Sequence, residues 1–546
     1  MTRSVIRLVG LRLPLAEIQS PGQEQASLAR LICRRAGVSP QDLLGVEWIK
    51  KSLDARDKAR PAFVYVVDAT FRKSVRGERP SFPAIPTLPT GSRRDPRPVV
   101  VGAGPAGLFA ALTLVQAGLS PIVLEQGRPV EERSRDVERF WSDGVLDPAS
   151  NIQFGEGGAG AFSDGKLTSR SKDSRSSHVL RVFVECGAQP EILYWYRPHI
   201  GSDRLPGVIA NLRRRIQAGG GEFLYQSRLV GLTRTGGQLR SLTVQAGPQQ
   251  KEFETDRAIL AVGHSARPLY RTLAGLGLAM EAKPFAVGLR IQHPQALIDR
   301  DQYGTFAGHP LLGAADYQLT YTDETTGRGC YTFCNCPGGH IVNASSEPGA
   351  LVVNGMSLAA RDSGWANSAV VVQVFPGRDY GKDPLDGLAF QEQLEAAAFT
   401  AGGGEYCVPV TTIQDFLGQP ESSLLDCLAG PAKQIKTPAW RWGDLRAVLG
   451  EELSTSLQRA LLHWDRQLPG FAGAGLLAAV ESRTSAPLRL LRGEDGASLN
   501  CRGLYPAGEG AGYAGGIVSS AIDGIRAAQA LLEQSGGSVP TLRSGA

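Results

Sequence analysis

Apolar and polar positions alternate along residues 6–15, the period of a half-buried strand. From 24 to 36 the spacing becomes helical, with Leu28, Leu31 and Ile32 on one face and Gly37 as the stop. Val46-Glu47-Trp48-Ile49 and residues 63–67 read as two more strands. Residues 1–75 therefore predict a small α+β module of strand, helix and two strands. Residues 76–97 follow as a linker, where Pro80, Pro83, Pro86, Pro89 and Pro96 are interleaved with Gly77, Gly91 and Ser92. Repeated prolines block helix and remove donors, so this stretch is expected to run extended. Its arginines (Arg76, Arg79, Arg93, Arg94, Arg97) read first as solvated charges, and second as a contact for a polyanion. Residues 536–546 read as a disordered tail.

At Val99-Val100-Val101 the pattern turns to a short all-apolar run, followed at once by Gly102-Ala103-Gly104-Pro105-Ala106-Gly107. A helical stretch at 108–116 carries Leu108, Leu112 and Val115 on one face, and a second short strand at 121–124 ends in Glu125 and Gln126. This strand–glycine turn–helix–strand–acid order is the fingerprint of a dinucleotide site. Gly102 permits the tight turn, Gly104 lets a pyrophosphate approach the main chain, and Gly107 lets the helix pack closely. The helix start offers free N–H groups and a positive dipole end to the phosphates. Glu125 is expected to accept from the ribose hydroxyls, and its charge disfavours a 2′-phosphate. FAD and NAD both fit this much.

Three more segments favour FAD. A strand at 256–262 ends in Gly263-His264-Ser265, at the distance from the first glycine loop where glutathione-reductase-like FAD domains return to their sheet. Residues 222–244 alternate, with a break at Gly236-Gly237, as a small antiparallel meander does. Gly508-Glu509-Gly510 follows a strand near the C-terminus, where an acidic residue would hold a ribityl hydroxyl; the usual residue there is Asp. After it Gly515-Gly516 opens a helix with Ile517, Ala521, Ile525, Ala528 and Leu532 as its apolar stripe. The start of that helix would stabilise negative charge on a reduced flavin.

Other constellations leave alternatives open. The loop at 151–167, NIQFGEGGAGAFSDGKL, is too rich in glycine for a helix or central strand. Gly157, Gly158 and Gly160 are read as backbone laid against the flavin nucleotide, a mobile loop being the plain alternative. Cys334 and Cys336 form a CxC motif with three readings: small buried residues in a tight turn, a redox-active dithiol, or half of a metal site with no second CxxC or clustered His beside it. Arg483 would bind an anionic substrate group or flavin O2, or else pair with Glu481. His264 is a candidate proton donor. No GxSxG elbow, HExxH or P-loop is present, which argues against a hydrolase, zinc protease or kinase.

Composition narrows the field only slightly. Of 546 residues, 66 are glycine, about 12% against a usual ~7%, as close backbone–ligand approach requires. The net charge of +5 is mild and gives no strong nucleic-acid signal. Eight cysteines do not make a disulfide scaffold, and no apolar run is long enough to span a membrane. With no leader-like start, a reducing cytoplasm is expected.

The chain resembles the FAD-dependent dehydrogenases, also called NAD(P)/FAD-dependent oxidoreductases, of bacteria and plastids. The matching stretches include VVVGAGPAGLFAALTL (99–114), the 151–167 loop, RPHIGSDRL (197–205), LAVGHSARPLY (260–270), KPFAVGLRIQHPQ (283–295), YTFCNCPGGHIVNASSEPG (331–349), ESRTSAPLR (481–489) and LYPAGEGAGYAGGIVSSAIDGIRAA (504–528). The resemblance implies bound FAD and an oxidoreductase acting on a small molecule. The expected fold is α/β: an FAD domain of the glutathione-reductase type built from 98–170, 200–270 and 496–535, with a mixed-sheet substrate domain at 271–495 inserted. Hydride transfer through non-covalent FAD is the expected chemistry, with NAD(P)H as a transient donor. The alternatives are an NAD-dependent dehydrogenase on the single GxGxxG, a flavin-dependent RNA-modifying protein, and a non-catalytic flavin scaffold.

Overall fold

A computed structural model describes residues 3–77, 85–86, 97–168, 173–419, 430, 432–473, 475–534 and 542–543. Most of the linker and the tail thus lie outside the described residues; Ile85–Pro86 and Leu542–Arg543 pair as short antiparallel strands.

The N-terminal module has strands Ser4–Pro14, Leu43–Asp54 and Ala62–Phe71, with the last in the middle of an antiparallel sheet. Its helix, Pro21–Ala36, is capped by the Ser20 hydroxyl, and Gly37 closes it at φ 69°. The module docks on the rest of the chain through main-chain bonds between Lys51 and the 194–196 segment, and from the His309 ring to the Ile18 carbonyl. Lys51 is buried, paired with Glu24 and boxed by the rings of Trp48, Phe63 and Trp195.

The centre of the molecule is a five-stranded, all-parallel sheet in the order Leu504–Pro506, Ala258–Leu260, Val99–Val101, Ile122–Leu124, Glu222–Leu224. Each strand is only three residues long, and helices cover it, as a parallel sheet requires. Helices Pro105–Gln116 and Ile517–Gln534 pack against each other; a Cβ on Gly524 would overlap the Ala106 carbonyl oxygen, so glycine permits the close approach. The stripe Ile517, Ala521, Ile525, Ala528 and Leu532 is buried.

Sequence reasoning assigned 222–244 as a whole to the meander. The structure divides it: Glu222–Leu224 completes the parallel sheet, and the meander runs Ser227–Thr235, Gln238–Ala246, Gln249–Glu254. A three-residue strand is too short for alternation to reveal its sheet.

Between the strands Ala258–Leu260 and Leu504–Pro506 the chain builds a seven-stranded mixed sheet. Its order is Thr320–Thr322, Gly329–Cys336, Trp365–Val374, Phe285–Pro294, Leu476–Glu481, Cys407–Thr412, Ala439–Trp442, antiparallel except for the last pair. Its central strands are buried on both faces. Among the described residues no helix is long and apolar enough to cross a membrane.

Candidate functional site

A cavity of about 610 Å³ opens at the carboxyl ends of the parallel strands. Gly102, Glu125, Ala261 and Gly508, each one or two residues past the end of a strand, line it together. This is where a doubly wound sheet places its ligand. The seven-stranded sheet supplies the opposite wall.

The glycine-loop side is built from main chain. Gly102 has φ 101°, and a Cβ there would lie 2.2 Å from the Ala261 carbonyl oxygen. A Cβ on Gly107 would lie 1.8 Å from the Gly102 carbonyl oxygen, so this glycine lets the helix close onto the turn. Gly104 differs. It caps the helix Pro105–Gln116 with no side chain bonded to the first turn, and a Cβ there would meet nothing nearer than 3.7 Å. Its lack of a side chain is not demanded by the protein around it, so the spare room faces the cavity.

Of the fifteen other predicted site residues, Pro105, Ala106, Gln126, Gly158, Gly160, Gly263, His264, Cys334, Arg483, Glu509, Gly516 and Ile517 also line the cavity. Gly107, Gly157 and Cys336 do not. Gly157 is pressed from behind, where a Cβ would come within 2.4 Å of Ile209, and its N–H donates to the Ala103 carbonyl. These glycines shape the wall and do not face the cavity.

Glu125 is buried, and its carboxylate already accepts three main-chain N–H bonds: Ala103 at 2.9 Å, Gly127 at 2.9 Å and Gly155 at 3.1 Å. It therefore ties the first glycine loop to the 151–167 loop as well as facing the cavity. That second loop is held in place by Arg133, a fully buried residue with no signal in the sequence. Its guanidinium donates to the carbonyls of Asn151, Ile152 and Glu156 at 2.7–2.8 Å. Burial pulls Arg133 down to about 10, so it keeps its charge at neutral pH. Pinned in this way, the loop is an ordered part of the wall.

The opposite wall is made of buried charge. Arg483 does not pair with Glu481. Its fork binds Glu395 at 2.8 and 2.9 Å, and it donates to the hydroxyls of Ser265 and Ser346. Arg267 holds the other side of Glu395. Burial raises the Glu395 carboxyl, but the two guanidiniums overcome this and hold it at about 2. Residues 481 and 483 part company because the strand Leu476–Glu481 ends between them. Glu481 remains against the sheet and meets Arg290, at 3.3 Å. Burial lifts the Glu481 carboxyl to about 7, against the pull of Arg290.

Arg290 lies wholly buried in the middle of its strand. Besides Glu481 it donates to the Asn367 side chain at 2.8 Å, the Cys334 carbonyl at 2.6 Å and the Cys336 sulfur at 3.2 Å. The cysteines sit at a bulge, where the register shifts between Phe333 and Cys336 and Cys334 adopts φ 48°. They are therefore on a kinked strand end, not in the tight turn expected. Both are free thiols. Their side chains hydrogen-bond to each other, which pulls the Cys334 thiol well below its ordinary value, with Arg290 and Lys166 adding to the effect. Burial and the neighbouring Cys334 push Cys336 well above its own.

His264 faces the cavity with its Nδ1 2.9 Å from the Ser265 hydroxyl. Burial, with Arg483 and Arg267 nearby, pushes it down to about 3, so the ring is neutral near pH 7. Glu509 is lifted to about 7 by burial, opposed by an N–H from Gly516 and by Lys283. Among the described residues no group of three His, Cys, Asp or Glu side chains is placed to hold a metal ion.

The residues fit a flavin dinucleotide: two helix starts, an uncapped glycine turn and a cavity of about 610 Å³ lined from both sheets. Comparison with known proteins agrees. The model of an FAD binding domain matches residues 97–268, that of "FAD-dependent protein, C-terminal domain-like" matches 284–484, and a domain of unknown function (DUF8436) matches 5–70. The chain thus carries an FAD-binding domain followed by the C-terminal domain of FAD-dependent proteins. A protein of Clostridium beijerinckii, described as "Uncharacterized protein", is 43% identical over 518 residues, covering 93% of this chain and 96% of its own length. The chain belongs to the same family as that protein. Solved structures resemble it faintly. A flavoprotein/dehydrogenase from Cytophaga hutchinsonii is 12% identical, covering 82% of this chain and 80% of its own, with a TM-score of 0.35. A triple mutant of the flavin-dependent brominase Bmp2 is 10% identical over 81% of each chain, also at 0.35. Scores of that size carry no argument about chemistry.

Proposed function

We propose that the protein is an FAD-dependent oxidoreductase that binds FAD non-covalently and transfers hydride to or from a small molecule. The observation that carries this is convergence: four parallel strand ends and two helix starts from distant stretches of the chain line one cavity. Bound FAD supplies a two-electron centre at flavin N5.

The chain's own residues do the rest. The helix at Pro105 would offer its free N–H groups to the pyrophosphate. Glu125, anchored by its three N–H donors, keeps acceptor capacity for ribose hydroxyls. The Gly516–Ile517 helix start would lend positive dipole charge to a reduced, negatively charged ring. Glu509 would hold a ribityl hydroxyl. Arg483, locked by Glu395, Ser265 and Ser346, gives the wall a fixed orientation and cannot swing toward a substrate without breaking that lattice. His264, neutral, offers one N–H or one lone pair.

The absorption spectrum of the purified protein and its melting point with added FAD test this reading. A yellow protein, or a clear rise in melting point at micromolar FAD, is expected. A colourless protein whose melting point ignores FAD overturns it. Anaerobic titration with NADH and with NADPH then identifies the donor: bleaching of the flavin by either supports the nicotinamide proposal, and no bleaching by both removes it.

A further inference from the structure

We propose that Cys334 and Cys336 form a second redox centre in the same cavity, a dithiol–disulfide pair that exchanges two electrons with the bound flavin. The proposal rests on the FAD reading and extends it to the opposite wall.

The geometry is that of an outer and an inner thiol. Cys334 lines the cavity; Cys336 does not, and is fully buried behind it. The Cys336 thiol reaches back to the Cys334 carbonyl at 3.4 Å, so the inner sulfur already lies against the residue that carries the outer one. In a regular strand the side chains of residues two apart share a face but stand apart along it. Here the bulge between Phe333 and Cys336 and the left-handed conformation of Cys334 shorten that step. A left-handed backbone at a residue other than glycine is uncommon and costs free energy. The strand bears that cost at one of the two residues that bring the sulfurs together.

Buried positive charge stands against the pair. Arg290, with no exposed surface, donates to the Cys336 sulfur and to the Cys334 carbonyl. Lys166 lines the same cavity. Cys334 and Glu481 share the Arg290 guanidinium, and both line the same cavity as Glu509, the residue that the reading above sets beside the flavin. A plain core cysteine needs neither a neighbouring thiol nor a buried arginine, and a thiolate is the reactive form.

The step balances. Cys334 enters as thiolate and Cys336 as thiol. Closing the bond between the two sulfurs releases two electrons and one proton, the latter from Cys336. The oxidised flavin is the acceptor, and two electrons with one proton convert it to its anionic reduced form. Run backwards, a reduced flavin reopens the disulfide.

The test uses the full-length, flavin-loaded protein, oxidised with diamide, freed of excess reagent and titrated anaerobically with dithionite. Wild type is expected to take up four electrons per flavin and to yield, before titration, a disulfide mapped by mass spectrometry between Cys334 and Cys336. Cys336→Ser is expected to take up two electrons. It should also show a long-wavelength charge-transfer band between thiolate and flavin, which Cys334→Ser lacks. Full flavin occupancy with two electrons taken up by wild type and no mapped disulfide overturns the proposal and leaves the FAD reading intact. Failure to bind flavin overturns both. Should Cys336→Ser not fold, Cys334→Ser supplies the two-electron control, and the wild-type mapping needs no variant.

Discussion

The two walls of the cavity are built on opposite principles. The glycine-loop wall is main chain: bare N–H groups, glycines that admit close approach, and one carboxylate fastened by three backbone donors. The opposite wall is side chain: Arg290 and Glu481 from the seven-stranded sheet, Arg483 just past its strand, and Arg267 and Glu395 from two helices behind it, with a pair of thiols between. The first recognises a ligand by shape and by dipoles whose charge does not change with pH. The second holds groups whose charge depends on their neighbours, so it is the wall able to respond to protons and electrons.

Removing one partner from the charged wall should have the largest effect. Glu395→Ala would leave Arg267 and Arg483 buried without their shared carboxylate, a loss of about 3–5 kcal/mol. Urea unfolding measures it; a change under about 1 kcal/mol would show that the ionic wall is not structural. Next comes the main-chain wall. In Gly107→Ala the new Cβ would lie 1.8 Å from the Gly102 carbonyl oxygen, and the strain is expected to cost about 3 kcal/mol and to abolish flavin retention. Gly104→Ala sharpens the contrast. Its backbone, φ −76°, is open to any residue and its Cβ has room. Ligand-free stability should therefore change by less than about 0.5 kcal/mol. FAD affinity should fall about tenfold or more, roughly 1.4 kcal/mol. Equal losses of stability and affinity would erase the distinction drawn between Gly104 and Gly107.

The smallest effect concerns protons. Glu509 is raised from 4.5 to about 7 in the folded, ligand-free protein. Between those values the folded state keeps a proton that the unfolded state has released. Its contribution to stability is thus present below pH 4.5 and lost as pH rises toward 7. Glu509→Gln should remove that loss, making the ligand-free variant more stable than wild type at pH 8 by about 1 kcal/mol and no more stable at pH 5. Thermal melts across this range, compared between the two proteins, would refute it if the difference did not grow with pH.

The main-chain wall was largely legible before the structure. Strand, turn and helix around Gly102–Gly107 are consecutive, so their spacing carries the signal. The same holds for Gly508 to Ile517, and for the strand–helix–strand–strand order of the N-terminal module. The charged wall was not legible in this way. Arg483 was singled out, but with Glu481 as its partner, because adjacency in sequence is the only pairing a sequence displays. Arg290 left one faint signal, a charge inside the apolar strand Phe285–Pro294. Arg267 stands in the same turn as His264, where nothing in the local spacing points to Glu395. Arg133, in a helix rich in polar residues, left none.

What the sequence alone determined is local: the order of short elements, the turn that only glycine admits, and through these the class of cofactor. The tertiary structure decided which distant charges meet. Arg267 reaches Glu395 across 128 residues, from one helix to another, and Arg290 reaches Glu481 across 191, between neighbouring strands of the seven-stranded sheet, so each contact depends on how scattered elements pack and pair. Backbone preference acts over a few bonds and is written into spacing. Coulomb attraction between buried groups acts through space, and no periodicity along the chain encodes it.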